Sequence, residues 1–164
     1  MIFVTVGTAA KGIDFTRLIA EMDRLAGVLG LDMLIQRGPA DYEPKHARHV
    51  RFVKFDEAMR LFREAELVVG HCGAGTVING LRFGKPMIVV PRRIDAGELD
   101  KDDHQVQLAR EMEGMEGVRV VYDIDKLEET LRAFLAGPRT GARPSQEKAR
   151  LVAAINEFLG EPAK

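Results

Sequence analysis

The sequence predicts an α/β fold, a Rossmann-like doubly wound parallel sheet of about six strands. Three observations carry that expectation. Short apolar runs alternate with longer stretches whose apolar residues recur at helical spacing. The short runs are apolar at successive positions, as strands covered on both faces must be. Glycine-bearing turns follow the first and fourth runs, which become neighbours at the switch point if right-handed crossovers wind the sheet in the order 3-2-1-4-5-6.

The first strand is expected over 2–6, stopping at Gly7-Thr8. Asp14 then precedes Phe15, Leu18, Ile19, Met22, Leu25, Ala26 and Leu29, an amphipathic helix with Asp14 as cap and Gly30 as stop. Residues 33–36 and 50–55 read as strands two and three, separated by loop chemistry over 37–44. Asp56 is expected to cap a helix running to Ala65, before a fourth strand at 67–69. After the glycine-rich turn come a helix over 76–83, a strand over 87–90 closed by Pro91, and a polar loop through Lys101. A helix from about Asp103 and a sixth strand over 118–122 follow. Asp125 and Glu128 suggest a capping box for a helix ending at Leu135, with Gly137-Pro138 as its stop. The expected organisation is thus a domain over 1–137, a linker over 138–144 and a C-terminal helical segment over 145–164, with no internal repeat.

Composition bounds the function. With 164 residues, 46% of them apolar, the chain can bury roughly 70% of the surface it exposes when unfolded. Its 24 basic and 25 acidic residues are interspersed and leave a net charge of -1, which argues against a nucleic-acid binder held by a basic field. Its one cysteine, Cys72, excludes an intramolecular disulfide framework and fits a reducing cytoplasm. No stretch approaches the ~20 apolar residues of a membrane span, and the N-terminal run is too short and lacks basic flanks for a signal peptide.

The chemistry concentrates in Gly70-His71-Cys72-Gly73-Ala74-Gly75-Thr76, between a strand and a helix. Glycines there allow a ligand close to the backbone, and the helix start offers unpaired N–H groups to an anion such as a phosphate. A tight turn with close packing explains the same glycines without a ligand. Neither GxGxxG after strand one nor a GxxxxGK[ST] phosphate loop is present. His71 reads alternatively as a core or capping histidine, and Gln105 as the partner of Asp102 in a structural capping box. Cys72 reads as a small buried apolar residue. His46 and His49 lack a matching cysteine or carboxylate and read as loop residues rather than metal ligands. Arg92 and Arg93 follow strand five, where a guanidinium could clamp a phosphate or simply lie on the surface.

Three stretches in order, His71 to Thr76, Gly84 to Pro91 and Asp103-His104-Gln105, resemble the donor-binding signature of GT-B glycosyltransferases of the family 28 C-terminal type. Val6-Gly7-Thr8 matches the opening turn of lone donor domains in that group, which includes catalytic subunits of split UDP-GlcNAc transferases and bacterial exopolysaccharide transferase subunits. The likeness covers roughly residues 1–135. It implies that His71 reaches the nucleotide diphosphate, and that Gly73, Gly75 and Thr76 donate to the phosphates. Gly7 and Thr8 would line the same crevice. It further implies that Asn79 stands where a glutamate usually holds the ribose, that His104 and Gln105 occupy the place of the pair that contacts the donor sugar, and that Asp103 belongs to the same nucleotide-sugar-binding stretch.

The expectation is a UDP-sugar-binding subunit of a split hexosyltransferase, needing no metal or other cofactor. Its acceptor is a lipid-linked sugar or lipid phosphate, and its partner a membrane-anchored acceptor-binding subunit that holds the chain at the cytoplasmic face. A nucleotide-binding regulatory module without transferase activity, which Asn79 favours, and half of a sugar-nucleotide epimerase are the alternatives.

Overall fold

The computed structural model describes residues 1–7, 15–98 and 104–143. Strands β1 (Ile2–Thr5), β2 (Met33–Gln36), β3 (Arg48–Val50), β4 (Leu67–His71), β5 (Met87–Val90) and β6 (Val118–Val120) form one sheet in the order β3-β2-β1-β4-β5-β6. Every pairing is parallel. The helices are α1 (Thr16–Leu29), α2 (Phe55–Glu64), α3 (Ala74–Arg82), α4 (His104–Met112) and α5 (Leu127–Ala136). This is the expected winding, and it carries all strand exits to one edge.

Strand alternation sorts the core into two layers. Ile2, Val4, Val69, Ile88 and Val90 pack with the apolar stripe of α1 and with Leu127 and Leu131 of α5. Phe3, Val68, Met87 and Val89 point the other way, onto residues of α2, α3 and α4. Phe3 meets Phe62 edge-on, ring centroids 5.3 Å apart. Gly80 lets α3 sit close to β5, because a Cβ there would overlap the Met87 side chain.

Several expected boundaries move, each for a local reason. The third strand is 48–50 rather than 50–55: exposed Arg48 and His49 pair at the sheet edge, where no apolar signal marks a strand. Phe55 opens α2 instead, and the residue before that helix is Lys54, with no side-chain cap from Asp56. Helix α1 is preceded by Phe15 without a side-chain cap; Asp14 lies outside the described residues. Its stop is as expected, with Gly30 left-handed at φ 61°. The box expected at Asp125 and Glu128 is replaced by Asp123, whose carboxylate accepts from Asp125 N–H at the head of a 3₁₀ turn, Ile124–Lys126. Glu128 pairs instead with Arg24 and Arg132.

The stretch expected as a linker is packed through Arg143. Ala142 N–H donates to Lys85 O and Arg143 N–H to Glu116 O, and Gly141 lies against Gly84 and Gly117. These contacts lie at the amino edge of the sheet, opposite the strand exits. The helix expected over 145–159 falls outside the described residues.

Candidate functional site

Burying polar groups is costly unless they are paired, so their distribution is informative. Among the described residues the buried polar or charged side chains are Thr5, Asp23, Gln36, Thr76, Arg92 and Glu98. All but Asp23 lie at the carboxyl edge around β1, β2, β4 and β5. The fold gathers its internal polarity at the switch point.

At the centre stands His71, the last residue of β4. Its imidazole is wedged between two glycines. A Cβ on Gly7 would lie 2.6 Å from His71 Cε1, and one on Gly73 would overlap Nε2. Gly7 is also left-handed, at φ 71°, so both its conformation and its lack of a side chain are used. His71 Nδ1 lies 3.4 Å from both Thr5 O and Thr76 Oγ1. Protonated, Nδ1 donates to Thr5 O; bare, it accepts from the Thr76 hydroxyl. Burial, with the Arg92 guanidinium adding to it and the Thr5 carbonyl opposing, drops the His71 pKa to about 4. The ring is therefore neutral at pH 7.

Helix α3 begins at Ala74, earlier than the sequence pattern suggests, so Gly73 is the residue before the helix and Gly75 and Thr76 are in its first turn. The first-turn N–H groups and the positive end of the dipole thus face the crevice beside His71. The Cβ position of Gly75 meets nothing within 4 Å, which leaves the backbone open to a ligand there. Asn79 sits one turn on, its amide donating to Gly75 O at 2.8 Å.

Arg92 lies under the crevice. It is 3% exposed, donates from Nη2 to Val6 O at 2.8 Å and stacks over the Phe15 ring at 5.1 Å. Its backbone N–H donates to Gln105 Oε1 at 3.1 Å, so the Gln105 carbonyl ties α4 to the strand β5 exit. His104 is exposed at the start of α4. Thr8 and Asp103 lie outside the described residues. Arg93 is at the surface, paired with Asp95. The structure therefore brings Gly7, His71, Gly73, Gly75 and Thr76 together, sets Arg92 beneath them, and leaves Asn79 and His104 on the rim.

Other residues of the site were not legible beforehand. Thr5 Oγ1 donates to Gln36 Oε1 at 2.7 Å and accepts from Gly7 N–H at 3.1 Å, fixing the turn. Glu98, 6% exposed, takes a bidentate grip from Arg17 and accepts from Arg93 N–H. Phe52 and Phe55, near the start of α2, are exposed large apolar side chains beyond edge strand β3 and apart from these contacts. A polar residue at the end of an apolar strand, as at Thr5 and Gln36, was the available signal. Glu98 carried none, being one acid in a charged loop.

Cys72 is buried in the core and its thiol pKa is pushed up to about 12 by burial, so it offers no nucleophile. His46 packs its ring against Gly27 of α1.

Comparison with known proteins bears on this geometry. Residues 1–158 match the glycosyltransferase family 28 C-terminal domain. The chain is 30% identical over 117 residues to the mouse UDP-N-acetylglucosamine transferase subunit ALG13, covering 67% of this chain and 10% of that protein. It is 40% identical over 102 residues to the Phenylobacterium zucineum N-acetylglucosamine transferase acting on pyrophosphoryl-undecaprenol, covering 60% and 26%. It thus spans about a tenth to a quarter of these relatives. A solution structure of ALG13 superposes with TM-score 0.58 at 16% identity, over 98% of this chain and 96% of that one. The kitacinnamycin glycotransferase does so with TM-score 0.61 at 17% identity, over 96% and 38%.

Proposed function

Because this chain belongs to the glycosyltransferase family 28 C-terminal domains, we propose that it is the donor-binding part of a glycosyltransferase that takes a hexose from a UDP-sugar to a lipid-linked acceptor. The observation that carries this is the wedge of His71 between Gly7 and Gly73 at the start of α3. Glycosyl transfer requires stabilisation of the departing nucleoside diphosphate. Backbone N–H groups of the first α3 turn, the Thr76 hydroxyl and His71 Nε2–H supply donors for it, and the helix dipole favours its charge. With Nδ1 accepting from Thr76, the neutral ring carries its proton on Nε2, the nitrogen set between Gly7 and Gly73. If the diphosphate draws a proton onto the ring, Nδ1–H donates to Thr5 O and Nε2–H to phosphate. Neither step uses a metal. His104 and Gln105 stand at the sugar end, with Asn79 on the ribose side.

Calorimetric titration with UDP tests the reading. His71→Ala is expected to cost about 1.5–3 kcal/mol of binding, the value of a hydrogen bond to a charged group. Gly75→Val, whose side chain enters space free of protein, is expected to leave the fold intact and to abolish diphosphate binding. Unchanged UDP affinity in both variants would refute the assignment.

We further propose that the acceptor and the catalytic base are brought by a membrane-anchored subunit. Supporting this, among the described residues no helix is long and apolar enough to cross a membrane, and the ALG13 relatives are named as transferase subunits. The purified chain is expected to bind UDP-sugar yet transfer nothing to a lipid acceptor until that partner is added. Full transfer by the chain alone would overturn the split arrangement. A nucleotide-binding module without transfer is the second reading, favoured by Asn79, whose amide gives no carboxylate to a ribose.

A further inference from the structure

We propose that Arg92 is a positioning residue of the donor site: held beneath the crevice, it sets the Val6–Gly7 turn against His71 and supplies positive charge to the diphosphate position without touching it. The proposal rests on the donor-binding reading above for the identity of the anion, but its geometric part stands on contacts within the chain.

The chain of contacts is short. Arg92 Nη2 donates to Val6 O, the carbonyl that precedes left-handed Gly7. Gly7 in turn lies so close to His71 that a Cβ would not fit. Any shift of the Val6 carbonyl therefore moves the wall against which the imidazole rests. Arg92 cannot easily leave this place. Its guanidinium faces Phe15, whose ring also carries the Arg17 guanidinium at 5.3 Å, and its backbone N–H is held by Gln105. The next residue is pinned as well, through Arg93 N–H to Glu98.

A guanidinium 3% exposed is little screened by water, so its charge is felt at the neighbouring ring. Its reach is visible at His71, which it pushes towards the neutral form. Among the described residues Arg92 is the charged group acting on that ring. Strand β1 faces the ring with the Thr5 carbonyl, and α3 faces it with the Thr76 hydroxyl. The same field favours an anion in front of the ring. Arg92 differs in this from a phosphate clamp, which would need a guanidinium open to the crevice.

The test follows the His71 ring by NMR across pH 3–8 in ligand-free wild type, Arg92→Met and Arg92→Lys. The His71 signal is assigned among the four histidines by its loss in His71→Ala. UDP and uridine affinities are measured on the same proteins. In Arg92→Met the His71 midpoint is expected to rise and UDP binding to weaken by about tenfold, the scale of one charge interaction. Uridine, which carries no phosphate, should change less. Arg92→Lys should hold the midpoint near wild type and recover part of the UDP affinity, and it serves as the folded comparison if Arg92→Met proves unstable. An unmoved His71 midpoint in Arg92→Met together with lost UDP binding would mean direct phosphate contact and overturn the proposal. Unchanged midpoint and unchanged affinity would overturn it also. Failure of wild type to bind UDP would overturn the donor reading instead, while the ligand-free titration would still decide whether Arg92 positions His71.

Discussion

Asp23→Ala is expected to destabilise the fold by about 3–4 kcal/mol, since several donors lose their acceptor together. The carboxylate, 1% exposed on α1, accepts from Lys45, His46 and Ala47 backbone N–H groups at 2.7–2.9 Å and from the Tyr42 hydroxyl at 3.0 Å. It holds the whole path from the β2 exit into β3. Water can reach the exposed Lys45 and His46 side of that loop, which keeps the cost below the sum of separate losses. Asp23→Asn should fall between, because its NH₂ group must face a donor. Burial pushes this carboxyl up, but the three backbone bonds and the Tyr42 bond outweigh it and hold its pKa below 3.8. Its stabilising contribution is therefore present above pH 3.8 and lost as pH falls through the lower folded value. His71 acts at higher pH. Its folded pKa is depressed from 6.5 to about 4, so protonation favours the unfolded chain across that interval, by about 3 kcal/mol once both states are protonated. Urea unfolding from pH 3 to pH 8 separates the two: Asp23→Ala should flatten the limb below 3.8 and leave the limb between 4 and 6.5. A loss under 1 kcal/mol at pH 7 would show that the loop does not depend on Asp23.

Glu98→Ala is the second large effect, expected at about 2–4 kcal/mol for a buried charge pair broken on one side. Arg17 Nε donates to Oε1 at 2.7 Å and Nη2 to Oε2 at 2.9 Å, while Arg93 N–H donates to Oε2 at 3.0 Å. The Arg17 side chain keeps 24% exposure against 8% for Glu98, so the stranded guanidinium recovers some hydration and the cost stays at the lower part of the range for such pairs. Glu98→Leu combined with Arg17→Met should cost less than the two single changes added together, because no ion is then left unpaired; the Arg93 N–H would still lack its acceptor. Chemical denaturation of the four proteins gives the coupling energy. UDP affinity should fall with Glu98→Ala, because the loop beside Arg92 loses its anchor to α1. Strict additivity of the two changes would show that the pair contributes no stability of its own.

The order of the sheet and the place of the crevice were legible because they follow from local pattern and chain geometry. The runs at 33–36 and 87–90 have the observed bounds, and the right-handed crossover then allows few windings. The likeness over His71 to Thr76 pointed to the same turn that gathers the buried polar groups. Less legible were elements whose signal is not apolar. Edge strand β3 carries Arg48 and His49, whereas the apolar Phe52 and Phe55 that suggested a strand prove exposed. Asp23 offered a sign, sitting four residues after Ile19 and three before Ala26 on the buried stripe of α1.

The sequence by itself determined the α/β class, the 3-2-1-4-5-6 winding, the glycine-flanked His71 turn and membership in a glycosyltransferase family. Periodicity and spacing report whether a residue is buried and which neighbours along the chain share its face. Tertiary structure alone decided that Arg92 turns inward under Val6, that Glu98 is buried on Arg17, and that residues 138–143 pack at the amino edge. Those outcomes depend on pairing between residues as much as 86 positions apart. A charged side chain is buried only where a distant partner meets it, and the local pattern carries no record of that partner.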